Sequence, residues 1–230
     1  MRMSAGRLFA YGILVVVGVF SCKKDDPEPS APLVTTVGLT DITDSSVKAG
    51  GRITSTGNDE IIATGFCWST LTTNPTIADD TSVSTNTSST FVLELTNLDP
   101  STTYYIRAYA INSIGIGYGD TISFNTGNAP PKIEAIMVEG NTVVDSILSA
   151  TYTYSDFEND PDSASSFQWY NALDTVAGSG DAIAGADSAT YKVAITDTTK
   201  FIRVGVTPVA ASGSILGEEV RSAWFGPVRE

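Results

Sequence analysis

The stretch Leu98-Asp99-Pro100-Ser101-Thr102-Thr103-Tyr104-Tyr105-Ile106-Arg107-Ala108-Tyr109-Ala110-Ile111-Asn112-Ser113-Ile114-Gly115 decides the fold. Its apolar residues recur with period two, the period of a strand and not of a helix. Tyr104, Ile106, Ala108 and Ala110 fall on one face, expected to be core, and Tyr105, Arg107 and Tyr109 on the other. Turn residues stand at both ends, Asp-Pro-Ser before it and Asn112 to Gly115 after it. Working outward, the runs 46–56, 60–69, 89–96, 102–112 and 116–126 share a β-branched and aromatic make-up, and Gly, Asn, Asp, Pro and Ser separate them. No stretch follows a helical period. Short strands at this spacing predict a β-sandwich over residues 32–126. Thr70 to Thr90 is nearly all polar and reads as a long loop region with room for one weak edge strand.

After Thr126-Gly127-Asn128-Ala129-Pro130-Pro131, a short, semi-rigid linker over 127–131, alternation returns. It runs through Lys132 to Val138, Ile147 to Tyr154, Ser166 to Tyr170, Thr190 to Ile195, Lys200 to Val209 and Val220 to Phe225. This predicts a second sandwich over 132–230, so the fold class is all-β with two tandem β-sandwich domains.

The chain has 230 residues, with 13 Lys plus Arg, 26 Asp plus Glu, two Cys and no His, for a formal charge of −13. Without imidazole, mechanisms that need a His base, a His metal ligand or a near-neutral pH switch are excluded. The negative charge repels phosphate, so nucleic acid is not an expected partner. No Gly-rich phosphate loop, metal-ligand quartet or nucleophile with its base stands out, and the expectation is a non-enzymatic protein with no catalytic residues.

The N-terminus reads as an address. Arg2 and Arg7 precede the apolar run Leu8 to Phe20, too short at about 20 Å to cross a ~30 Å hydrocarbon core, so residues 1–21 are expected to be a signal peptide. Ser21-Cys22 resembles a bacterial lipobox, which implies lipid attachment at Cys22 and membrane anchoring through it. Residues 22–31, with Lys23-Lys24-Asp25-Asp26-Pro27-Glu28-Pro29-Ser30, are charged, Pro-rich and expected to be a flexible tether. Loss of residues 1–21 removes two Arg and leaves 11 basic against 26 acidic residues, −15. With Cys22 acylated, Cys67 stands alone in Gly65-Phe66-Cys67-Trp68 and is expected to be a small buried hydrophobe.

Several of these segments resemble known families. Leu98, Pro100, Thr102, Tyr104, Ile106, Ala110, Asn112 and Gly115 match the E to F corner of fibronectin type III domains. That resemblance implies that Tyr104 puts its ring in the core and bonds its hydroxyl back to backbone. The usual Trp on strand B is missing, and Trp68 is its expected partial substitute. The second unit resembles bacterial Ig-like modules through 152–156, 168–170, 191–193, 206–209 and 226–228. The resemblance implies that Trp169 fills the core. Phe201 stands at the corner-Tyr position, and no cysteine pair is present. Cys-Lys-Lys-Asp-Asp is similar to the start of Bacteroidota-type surface lipoproteins, which implies an outer-membrane location facing the cell exterior.

Three sets of candidate site residues follow. Tyr105, Arg107 and Tyr109 form an expected outward strip for a protein or glycan, or else a pairing that shields the sheet. Asp156, Glu158, Asp160 and Asp162 form one acidic loop, either simply solvated or holding Ca²⁺ through hard oxygen ligands. Its spacing is not an EF-hand, since Pro161 and Phe167 stand where Gly and Glu are needed. Thr121, Ser146, Ser163, Thr175, Ser188 and Thr198 each follow Asp and resemble the O-glycosylation triplets of exported Bacteroidota proteins. Asp-Ser and Asp-Thr are equally the expected chemistry of turns.

The expected function is a cell-surface lipoprotein that binds a protein or glycan partner or acts as a spacer. An accessory carbohydrate-binding lipoprotein of a polysaccharide-capture system and a periplasmic structural lipoprotein are the alternatives.

Overall fold

The computed structural model describes residues 27–176, 178–214 and 216–230. Over these residues the fold is all-β, with antiparallel sheets and one short 3-10 turn at Ile195–Asp197. Strands β1 (Leu33–Thr40), β2 (Ser46–Ser55) and β5 (Thr90–Thr96) form one sheet in the order β1-β2-β5. Strands β4 (Asp80–Ser84), β3 (Ala63–Ser69), β6 (Thr103–Ile111) and β7 (Ile116–Tyr118) form the facing one, and β8 (Ile122–Asn125) also pairs with β6. The inward residues of both sheets, Val47, Ala49, Phe66, Phe91, Leu95, Ile106 and Ala108, make one core, because the pleat sends alternate side chains inward. Trp68 packs half-buried against its edge.

Strands β9 (Lys132–Glu139), β10 (Ile147–Ser155) and β13 (Thr190–Lys192) form a third sheet, ordered β13-β10-β9. Strands β12 (Asp181–Ala182), β11 (Ser166–Ala172), β14 (Phe201–Thr207) and β15 (Val220–Arg221) form the fourth, ordered β12-β11-β14-β15. Trp169 is fully buried among Leu148, Val193, Ile202 and Val204. Its indole N–H, which would be costly to bury unpaired, donates to the Ser188 carbonyl at 2.8 Å.

Four local readings differ from the sequence expectation. Strand β1 was not foreseen, because Leu33 and Val37 are exposed and Gly38 interrupts its alternation. The single run 116–126 divides into β7 and β8. The break falls at Gly119, where a Cβ would stand 2.6 Å from the backbone nitrogen of Thr36 on β1, so the crossing demands glycine. The run Thr190 to Ile195 stops as a strand at Lys192, because the Asp197 carboxylate accepts the Ala194 N–H at 2.9 Å and folds the chain into the 3-10 turn. Residues 27–31, expected within the flexible tether, are held by hydrogen bonds. Asn58 donates its amide to the Pro27 carbonyl at 2.8 Å, the Ser30 N–H reaches the Gly57 carbonyl, and Asn112 donates to the Ser30 carbonyl. On the side of residues 27–31 such docking uses only backbone groups and leaves no trace in hydropathy.

The chain runs pole to pole. It meets the first pair of sheets at the turn of 55–59 and the loop 112–115, and leaves at the other pole, where the Gly127 N–H bonds to Thr43 and its carbonyl to Ser101. In the second pair of sheets β9 starts beside the end of β10, with Lys132 paired to Ser155. The last residues lie at the opposite pole, where Val228 and Arg229 bond to Thr199, Lys200, Thr142 and Val144.

Candidate functional site

The acidic loop leaves β10 and returns at β11, and it lies against the linker. Asp156 folds the loop back on itself by accepting the N–H groups of Glu158 and Asp160 at 3.0 and 2.9 Å. That aims Glu158 outward. Its Oε1 accepts the Ser101 hydroxyl at 2.8 Å and the Ala129 N–H at 3.0 Å. Asp160 accepts the Asn128 amide at 3.2 Å and also the Ser212 hydroxyl. Asn128 in turn accepts the Ser214 N–H at 2.5 Å. Beside these contacts is a cavity of about 550 Å³, lined by Asp44, Leu98, Pro130, Glu134, Asp156 and Phe157 among others.

The structure brings three of the four acidic candidates together. One oxygen from each of Asp156, Glu158 and Asp160 lies within 4.8 Å of the others, a set of hard donors that could hold a divalent cation. Asp162 does not join them, a correction to the expected set of four. Its carboxylate is taken by the Tyr152 hydroxyl at 2.5 Å and the Ser165 hydroxyl at 2.8 Å. Burial pushes Asp162 up, but these donors outweigh it and hold the carboxyl below the usual range.

The expected strip on β6 is also corrected. Tyr105 and Arg107 are half-buried, but Tyr109 is only 1 % exposed. It does lie on the face away from the sandwich core, as the alternation requires. The polar segment 70–79, however, folds over that face. Pro75 accepts the Cys67 thiol at 3.3 Å, and the Ile77 N–H donates to the Tyr118 hydroxyl at 3.2 Å. Tyr118 packs on Tyr109 with ring centroids 6.4 Å apart, and the Arg107 guanidinium sits 4.7 Å from the Tyr118 ring centre. A second small core results, which joins Cys67, buried as expected, to tyrosines that the alternation places on the outward face. Cys67 is fully buried within it, and burial pushes its thiol up to about 11, the protonated and unreactive form at neutral pH.

A group of cationic and aromatic side chains was not foreseen. On β11, β14 and β15, Arg221 lies 4.1 Å from the Tyr170 ring centre and Arg203 lies 4.1 Å from that of Trp224. Glu219 accepts the Tyr170 hydroxyl at 2.6 Å and the Arg221 Nε–H at 2.8 Å. The cross-strand pairing Tyr170↔Arg203 builds this stack, and register is not visible in one sequence. It covers the sheet face with two guanidinium groups on aromatic rings and one carboxylate that pairs with Arg221.

Cys22 lies outside the described residues. Among the six hydroxyls that follow Asp, Ser163, Thr175 and Ser188 are exposed, while Thr121, Ser146 and Thr198 are half-buried. Thr198 donates to the carbonyl of Ile195 three residues back, which is turn chemistry, whereas Ser163 reaches across to the Ala210 carbonyl.

No family model and no curated protein matches the chain. Among solved structures, the sensor domain of the anti-sigma factor RsgI4 from Pseudobacteroides cellulosolvens is 14 % identical. The match covers 42 % of this chain and 95 % of that one, with a TM-score of 0.32.

Proposed function

We propose that the chain is a non-enzymatic lipoprotein, anchored in the outer membrane through Cys22 and facing the cell exterior. Its fibronectin type III-like unit over 32–126 and Ig-like unit over 132–230 hold a binding surface for a protein or glycan away from the membrane. One observation carries this reading. The chain enters the first unit at one pole and leaves by the other, and its final residues lie at the far pole of the second, so successive units add reach from the anchor.

Two details support the module types. The Tyr104 hydroxyl accepts the Asp99 N–H, the bond that the fibronectin resemblance implies, and Trp169 fills the second core. The far pole supplies the contact surface, since loops carry binding groups on a rigid scaffold. Exposed Ile147, Leu173, Val176 and Ile195 gather there. The carbohydrate-capture alternative is weakened, because it drew on a planar aromatic strip and Tyr109 is buried.

Protease shaving of intact cells, read against mass spectrometry of the purified chain, tests the proposal. Surface display predicts degradation by external protease and a diacyl or triacyl mass on Cys22. Full protection of a lipidated chain would place it in the periplasm instead, and an unlipidated chain would remove the anchor.

A further inference from the structure

The docking of residues 27–31 supports an inference about how the first unit meets the membrane. This inference rests on the lipid at Cys22 proposed above. Residues 27–31 are fixed to the pole by Asn58, Gly57 and Asn112, and a Cβ at Gly57 would lie 2.0 Å from the Ser30 carbonyl oxygen, so the two segments touch directly. Pro32 is buried at the same place, with its carbonyl against Gly117. Only residues 23–26 then separate Cys22 from docked Pro27. Fully extended, that link spans about 17 Å.

The pole so held is not uniformly polar. Leu33, Ile62 and Ile114 are 63 %, 59 % and 54 % exposed, and none of the described residues covers them. Asp59, partly exposed, accepts the Ser113 N–H at 2.8 Å, which holds its carboxylate in the charged form, and with exposed Glu28 and Glu60 it makes three acids at this pole. We propose that this pole, formed by residues 27–33, 55–62 and 112–115, rests on the bilayer that holds Cys22, with Ile62 and Ile114 at the headgroup level. A link this short gives the contact a high effective concentration, so a weak apolar contact suffices. The three acids make the contact weaker on an anionic surface than on a zwitterionic one.

The test uses the full lipidated chain in phosphatidylcholine vesicles that contain a nitroxide lipid. A fluorophore is placed at Ile114→Cys or, as the far-pole control, at Ile195→Cys. Both positions are exposed, whereas Cys67 is fully buried and Cys22 is blocked by its lipid. The expected result is quenching at 114 and none at 195, reduced when twelve Gly/Ser residues are inserted between Asp26 and Pro27. A lipidated chain with neither position quenched overturns the membrane contact and leaves the proposed function standing. Quenching at both means that the chain lies flat, and also overturns it. A purified chain without lipid mass at Cys22 removes the proposed function and the contact together.

Discussion

The hydroxyl of Tyr104 accepts the backbone N–H of Asp99 at 2.9 Å, tying the start of β6 to the turn that precedes it. Phenylalanine keeps the ring, which stacks on Phe124 at 5.7 Å, and deletes only this acceptor. Tyr104→Phe should therefore cost about 1–2 kcal/mol, read as a lowered urea midpoint with unchanged slope.

In the second unit a carboxylate holds the corresponding corner. Asp197, 1 % exposed, accepts Asn171 at 2.8 Å, the Tyr191 hydroxyl at 2.6 Å and the Ala194 N–H. Asp197→Ala strands three donors and should cost about 3–5 kcal/mol, whereas restoring a Tyr at Phe201 should gain little. Chemical denaturation followed by near-ultraviolet dichroism of Trp169 reads the loss.

Tyr105 and Tyr109 of β6 should part company. Tyr109→Ala opens a cavity under the segment 70–79 and is expected to cost about 3–5 kcal/mol, while Tyr105→Ala stays under about 1 kcal/mol. Equal effects in thermal melts would mean that the segment does not cover the sheet in solution.

Alkaline pH should weaken the same region. Burial on folding raises the Cys67 thiol from 9.0 to about 11. The unfolded chain releases this proton first, so its contribution is intact below pH 9 and is lost as pH climbs towards 11. Cys67→Ala should make the fall of the urea midpoint over that window shallower.

At the linker, Glu158→Ala removes the acceptor shared by Ser101 and Ala129. Spin labels at Thr90→Cys and Leu173→Cys should give a broader distance distribution in this variant than in the parent. An unchanged distribution would assign the restraint to Asn128 with Asp160 and Ser214 instead.

What the sequence made legible was whatever depends on alternation or on a local turn: the inward face of β6, the Tyr104 corner and the burial of Trp169. Strands of weak or interrupted alternation were lost, as β1 and the two-residue β12 were. Position along the chain also hid coverage. Tyr109 does point away from the sandwich core, but a loop some thirty residues earlier closes over it, and no period records that. Likewise Asp162 sits two residues from Asp160 yet serves Tyr152, because the loop turns between them. The Arg203 and Trp224 stack depends on strand register, and the docking of residues 27–31 on backbone acceptors, neither of which side-chain chemistry announces.

The pole-to-pole course of the chain has a mechanical meaning. A pull between the anchor and the far end acts along β1 and β8 in the first unit, and along β9 and the segment 220–229 in the second. Those terminal segments enter and leave at opposite ends, so tension slides each along its neighbour and strains its row of hydrogen bonds all at once instead of peeling them singly.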